Sequence, residues 1–200
     1  MSEPRQLGVD FFARGVGWVA QELVGCTLLV DGVGGPIVEV ERYQDDDPAS
    51  HSFRGPRGRA VTMFGPPASL YVYRSYGIHW CMNIVCEDEG TGAAVLIRAI
   101  EPVVGVEAMR ARRPGRSDRE LCAGPGRLCQ ALGVDGSRNG QALGDGVCVL
   151  PRVGRVHVDR GTRIGISVAT ERPWRFGLRG SAYLSRALPT SPTTEAHDHV

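Results

Sequence analysis

The chain contains no lysine; all 23 of its basic side chains are arginine. A P-loop grips phosphate with a lysine, so that nucleotide-binding device is excluded. Schiff-base chemistry on a side-chain amine is excluded too, leaving only the terminal amino group for that role. Excess charge is scarce as well, since 22 acidic residues leave a net charge of +1. This argues against a strongly basic polyanion binder, although a local basic patch fits the same total. No apolar run reaches the roughly 18–20 residues that span a bilayer. Met1 to Leu7 mixes charges of both signs without an apolar signal segment, so a cytoplasmic protein is expected rather than an exported one. The six cysteines (Cys26, Cys81, Cys86, Cys122, Cys129 and Cys148) form no C-x-x-C pair and no zinc-like spacing. They read as reduced packing residues, and neither a metal nor an iron–sulfur cluster is expected.

What is present suits one soluble domain. A chain of 200 residues, 42% hydrophobic and 22% charged, can bury one sizeable core. Asp10 to Gly25 reads as an amphipathic helix with Asp10 as its N-cap. Thr27 to Asp31 and Ile37 to Tyr43 read as strands, with Gly32 to Pro36 turning between them. His51 to Pro67, rich in Gly, Pro and Arg, reads as a long loop of the kind that carries function. Ser69–Ser75, His79–Glu87 and Ala93–Ile100 read as an antiparallel meander whose first turn is Tyr76–Gly77. Val106–Arg113 and Gly126–Leu132 read as helices. Val147–Leu150, Arg163–Ala169 and Trp174–Arg179 read as later strands. The tail, residues 189–200, is expected to fray, leaving residues 1–188 as a single domain.

Three groups of residues invite chemistry. Strand alternation puts Ile37, Glu39, Glu41 and Tyr43 on one face and Val38, Val40 and Arg42 on the other. Glu39 and Glu41 would then lie about 6.5–7 Å apart. Burial and mutual repulsion could make one of them a general base. A solvated strand face fits the same spacing. Tyr71, Tyr73 and Tyr76 could stack a flat, cationic ligand, with Tyr43 and His51 as a second wall, or could simply form a core stripe. Arg54, Arg57 and Arg59, and separately Arg110, Arg112, Arg113, Arg116 and Arg119, offer phosphate contacts or a solvated surface. Asp45, Asp47 and His51 lack any recognised metal-ligand spacing.

In order along the chain stand IVEVERY (37–43), DPASHSFRG (47–55), MFGPP (63–67), LYVYRSYGIHWCMN (70–83), VLIRAIEP (95–102) and GPGRLCQALG (124–133). Together these blocks resemble the alkyladenine (3-methyladenine) DNA glycosylases from the first helix to about Arg179. The resemblance implies an α+β domain with a curved antiparallel sheet and a DNA-intercalating hairpin. It implies a cofactor-free, metal-free monofunctional enzyme of base excision repair. Such an enzyme flips alkylated or deaminated purines from double-stranded DNA and hydrolyses the N-glycosidic bond. By position, Glu41 matches the acid that activates water, and Arg98 matches the residue that helps hold that water with a backbone carbonyl near Ile164. Tyr43, His51 and Tyr73 match the walls of the base pocket, and the main chain at Ala49 matches its hydrogen-bonding edge. Asn83 matches the position that discriminates against unmodified guanine, and Tyr76 the minor-groove wedge. Ala68 stands where this family usually has glycine. A monomer in the cytoplasm, at the nucleoid in a bacterium, is expected. Two rivals remain: a carbohydrate hydrolase using Glu39 and Glu41, whose two acids would lie poorly on one side of the bond, and a catalytically inactive lesion-DNA binding protein.

Overall fold

The computed structural model describes residues 6–189, so the expected frayed tail lies outside the described residues apart from Pro189. In chain order its elements are α1 Val9–Phe12, α2 Val16–Leu23, β1 Thr27–Val30, β2 Val33–Tyr43, β3 Leu70–Ser75, β4 His79–Val85, β5 Ala94–Ile100, α3 Val106–Arg112, α4 Asp118–Leu121, α5 Pro125–Leu132, β6 Val147–Leu150, β7 Val158–Gly161 and β8 Arg175–Leu178. Every strand pairing is antiparallel. The strands run β3-β4-β5-β2-β1-β6, and β8 joins β2 to β7. This is the expected α+β domain with a curled antiparallel sheet. No helix among the described residues is long and apolar enough to cross a membrane.

Strand β2 is the spine of the sheet. Its first half pairs with β1, and its second half pairs with both β8 and β5. The turn before it is narrower than the sequence reading. Asp31 and Gly32 alone turn the chain, both at positive φ, and Val30 pairs directly with Val33. An Asp-Gly pair supplies the left-handed geometry that a two-residue hairpin needs. Gly34 and Gly35 therefore serve pairing rather than turning. A Cβ at Gly34 would run into the Leu28 carbonyl, and one at Gly35 into the Glu101 carbonyl.

Helices cover one face of the sheet. The predicted first helix is two, because the chain breaks at Gly15, the N-cap of α2. Asp10 is not a cap, since Gly8 occupies that position for α1 and Asp10 lies in the first turn. The Glu87 carboxylate instead accepts the free Val16 N–H at 2.7 Å. Val16, Val19, Ala20 and Leu23 of α2 are buried. Helix α5 opens with Pro125, where a missing N–H costs nothing, and closes at left-handed Gly133. Its buried stripe, Leu128, Cys129, Ala131 and Leu132, packs with Met82, Ile84, Val95 and Ile97 in the main core. Five of the six cysteines are buried and all six are free thiols, in line with a packing role.

Three other readings are corrected. Arg163–Ala169 is an irregular loop, bent by positive φ at Gly165 and Ala169, and β7 lies just before it at Val158–Gly161. The long loop holds two 3-10 helices, His51–Arg54 and Gly58–Phe64. Ile37 does not share the face of Glu39 and Glu41. A bulge at Val38 turns Ile37 into the main core beside Val40. Ala68 takes φ +64°, the left-handed region that favours glycine. Replacing Gly34 by alanine should push β1 from β2 and lower stability by about 2 kcal/mol. Urea unfolding checks this: the midpoint should fall at an unchanged slope.

Candidate active site

The site begins with a double irregularity between β2 and β5. Ile37 pairs with Ile100, Glu39 with Ala99, and Val40 with Ile97. Val38 is thus the extra residue on β2, and Arg98 the extra residue on β5. An extra residue escapes the pleat and its side chain is re-aimed. Arg98 reaches both acids of β2: its Nε donates to Glu39 Oε1 at 3.0 Å, and its Nη1 lies 3.2 Å from Glu41 Oε1. Both carboxylates are fully buried, so the solvated-face alternative does not hold.

Glu41 is surrounded by donors. Ile164 N–H donates to Oε1 at 2.8 Å, and the Tyr43 hydroxyl donates to Oε2 at 2.8 Å. Ile164 therefore meets the catalytic candidate through its N–H, on a loop that the sequence reading took for a strand. Burial raises the Glu41 pKa above the ordinary carboxylate value. The Arg98 charge, the Ile164 N–H and the Tyr43 hydroxyl pull it back, and the Glu39 charge adds a smaller push upward. Desolvation also raises Tyr43 and Tyr73, so both phenols stay protonated.

Beside Glu41 opens a cleft of about 600 Å³. Tyr43, Ala49, His51, Tyr71, Tyr73, Asn83, Arg98 and Ile164 line it, and Tyr76 stands at its edge. All the predicted pocket residues thus converge on one cavity, with Glu41 behind its wall. The Tyr71 and Tyr73 rings stack with centroids 5.3 Å apart, and His51 meets Tyr73 edge-on at 4.6 Å. His51 Nδ1 lies 2.7 Å from the Tyr71 hydroxyl. Burial and the nearby Arg59 charge lower the His51 pKa, so the imidazole is neutral at pH 7. Asn83 donates from Nδ2 to the Tyr71 carbonyl at 2.9 Å. Tyr71 is both wall and core, because it packs with Met63, Val85 and Ala94 in a second small cluster.

The sequence reading missed one support of this cleft. Asp47 and Arg163 form a fully buried ion pair, in which Arg163 Nη2 donates to Asp47 Oδ1 at 2.9 Å. The Arg163 guanidinium lies over both Tyr43 (4.7 Å) and Trp174 (5.0 Å). The same Asp47 oxygen accepts the Ala49 N–H at 3.1 Å. Asp47, read earlier as an unsupported metal candidate, fixes two parts of the cleft wall. A stranded acid followed by Pro in a functional loop was its one local signal. Asp46 and Asp45 remain exposed on this loop.

Tyr76 tips the β3–β4 hairpin with 87% of its surface exposed. It and Gly77 take positive φ, and Ile78 N–H closes the turn on Ser75 at 3.0 Å. A tyrosine held in the left-handed region is strained. Of the arginine clusters, Arg59 lines the cleft, whereas Arg110 is tied to Glu107 and Asp118 on an exposed helical surface.

A family model described as Methylpurine-DNA glycosylase (MPG) matches residues 10–182. A protein of Rhodopseudomonas palustris (strain HaA2) is 57% identical over 176 residues, covering 88% of each chain. One from Nitrosospira multiformis is 56% identical over 187 residues, 93% of this chain and 95% of its own. One from Rhizobium meliloti (strain 1021) is 52% identical over 180 residues, 89% of this chain and 95% of its own. Each of the three carries the name "Putative 3-methyladenine DNA glycosylase".

The raised Glu41 pKa has a consequence for stability. A carboxyl raised in the folded state stabilises fully below its unfolded value, near 4.5, and the contribution is lost as pH rises through the folded value. Glu41→Gln has no such titration. The stability of the wild type relative to Glu41→Gln should therefore fall as pH increases above about 4.5 and then level off. Parallel urea titrations from pH 4 to 8 check the sign; a relative stability that climbs with pH would contradict the raised value.

Proposed function

Since the chain belongs to the methylpurine-DNA glycosylase family, we propose that it is a monofunctional DNA N-glycosylase of base excision repair. In this reading it flips alkylated or deaminated purines out of duplex DNA and hydrolyses the N-glycosidic bond. The observation that carries the proposal is the buried Glu41 carboxylate, oriented by three donors beside a tyrosine-lined cleft open to solvent.

The arrangement supports a distinct task for each carboxylate oxygen. Oε1 takes both nitrogen donors, while Oε2 takes only the Tyr43 hydroxyl. A carboxylate has about four lone-pair sites, so Oε2 retains one for a water molecule. With Glu41 as general base, that water attacks the anomeric carbon as the bond to the purine nitrogen breaks. The water proton passes to Glu41, the bonding electrons leave with the base, and an abasic site remains. The Glu41 charge also stabilises positive charge developing on the sugar. A purine methylated at a ring nitrogen is already cationic and leaves readily.

Recognition in this reading follows from the same cation. Tyrosine faces attract it, and a neutral His51 adds no opposing charge. His51 supplies a polar ring edge. With its N–H committed to Asp47, Ala49 has its carbonyl left for the base. Asn83 reads the rim of the purine. Extracting a paired base costs a few kcal/mol. We assign Tyr76 to the gap, where an exposed ring on a strained turn wedges against return of the base. With no lysine in the chain, no side-chain amine is present for strand cleavage by imine formation.

The test is release of free base from methylated duplex DNA, with a hypoxanthine duplex alongside. Wild type should release base, and Glu41→Gln should bind the lesion duplex but excise at least about 100-fold more slowly. Equal rates would remove Glu41 from the chemistry, and lesion binding without release by wild type would favour the inactive binder. Tyr76→Ala should reduce flipping, read by fluorescence of 2-aminopurine placed beside the lesion. Unchanged fluorescence and excision would refute the wedge.

A further inference from the structure

Glu39 takes no part in the reaction just described, yet it is the most heavily bonded carboxylate of the site. Its Oε1 accepts from Arg98 Nε at 3.0 Å, Arg175 Nη1 at 3.1 Å and Ser185 Oγ at 2.9 Å. Its Oε2 accepts the Ser185 N–H at 2.6 Å. Arg98 in turn has all three guanidinium nitrogens engaged: Nε on Glu39, Nη2 on Ser185 Oγ at 3.3 Å, and Nη1 beside Glu41. Ser185 Oγ therefore donates to Glu39 and accepts from Arg98, which fixes the guanidinium plane.

Ser185 belongs to a short strap laid over β7 and β8. Arg175 Nη1 and Nη2 each donate at 3.1 Å to the carbonyls of Arg186 and Ala187, and Arg175 Nε donates at 2.8 Å to Thr162, beside the loop that carries Ile164. Leu188 is seated where Gly161 and Gly177 have no side chains; a Cβ at either would collide with it. The strap begins beyond residue 182, where the family match ends.

Charge accounting separates positioning from simple stabilisation. Arg175 balances Glu39, which leaves the Arg98 charge available to Glu41. A buried ion network is weak evidence for stability in itself, because desolvation offsets its attraction. Its consequence here is geometric: Arg98, an unpaired residue on β5, is held at both ends. We propose that Glu39 and Ser185 are positioning residues that hold Arg98 Nη1 on Glu41, with residues 185–188 as the strap that keeps them there. This rests on the glycosylase reading.

The groups that act on the Glu41 charge are Arg98 from β5, Glu39 and Tyr43 from its own strand, Tyr73 from β3, Cys81 from β4, and Arg163 from the loop. Burial raises the Tyr43, Tyr73 and Cys81 values, so these three remain neutral in the working range. Arg98 lowers the Glu41 value more than the Glu39 charge raises it, so loosening Arg98 raises the pH at which Glu41 ionises.

The experiment is single-turnover excision from methylated duplex DNA, with lesion affinity and melting temperature measured on the same preparations. Ser185→Ala loses the hydroxyl's bonds to both Glu39 and Arg98 and should excise about tenfold more slowly, with affinity within about twofold. Ser185→Thr should restore the rate. Glu39→Gln keeps a carbonyl for Arg98 Nε but loses the charge. It should loosen Arg98, slow excision and move the acid limb of its pH profile upward. A lower melting temperature with unchanged excision and an unmoved limb would mean a merely structural role and would overturn the proposal. If Glu39→Gln does not fold, the two Ser185 variants decide alone. Wild type that excises no faster than Ser185→Ala overturns this proposal only; wild type that releases no base overturns the glycosylase reading and this proposal with it.

Discussion

One ion pair, Glu41 with Arg98 at 3.2 Å, sets the terms for the rest of the structure. Neither partner is left to water, and each would be costly to bury without the other. Burial alone would leave Glu41 protonated, whereas full charge pairing in the open would make it an ordinary weak base. In the folded protein burial pushes the Glu41 value up and its bonded partners pull against that push. Arg98, the Ile164 N–H and the Tyr43 hydroxyl oppose desolvation, and no cation other than Arg98 bonds to this carboxylate among the described residues. The surrounding backbone serves that balance. An extra residue on each of β2 and β5 brings Arg98 between two acids that a regular ladder would have separated from it. The irregular loop after β7 delivers an N–H rather than a side chain.

The cleft applies the same economy to recognition. Its walls are largely neutral aromatic rings, and two of the arginines around it are held in ion pairs. Arg163 is paired with Asp47 and stacked on Tyr43; Arg98 is divided between two glutamates. What remains for a ligand is quadrupole, ring edge, the Asn83 amide, Arg59 and a few main-chain groups. On the proposed reading that suits a flat cationic base, which these faces attract and which needs little chemical help to leave. For the alkylated purines, charge discrimination and reactivity then favour the same base. On the proposed reading, with a net charge of +1, binding to undamaged DNA rests on local arginines and should weaken as salt rises.

The parts legible in the sequence are those with local signals. Period-two alternation put Glu39 and Glu41 on one strand face, and the YVYRSYG run gave a hairpin with an exposed tyrosine. Apolar periodicity gave the meander and α5 within a residue or two. The ordered motif blocks added the family and a set of pocket residues that the fold does gather around one cavity. The illegible parts are long-range or depend on backbone exceptions. Asp47 finds Arg163 across 116 residues, and Glu39 finds Ser185 across 146. No periodicity encodes such pairs. The bulge that turned Ile37 into the core has no residue signature. Gly34 and Gly35 read as a turn from the sequence but lie in the ladder, because glycine marks both tight turns and close backbone approach.

On the proposed reading, the cleft receives a base extruded from duplex DNA with its anomeric carbon presented to Glu41. The most direct measurement is a crystal structure of the Glu41→Gln protein on a duplex carrying one methylated purine. The account predicts the purine ring in the cleft against Tyr43, His51 and Tyr73, Tyr76 in the vacated stack, and one water between residue 41 and the sugar. A purine still paired in the duplex, with the cleft empty beside it, would contradict the account.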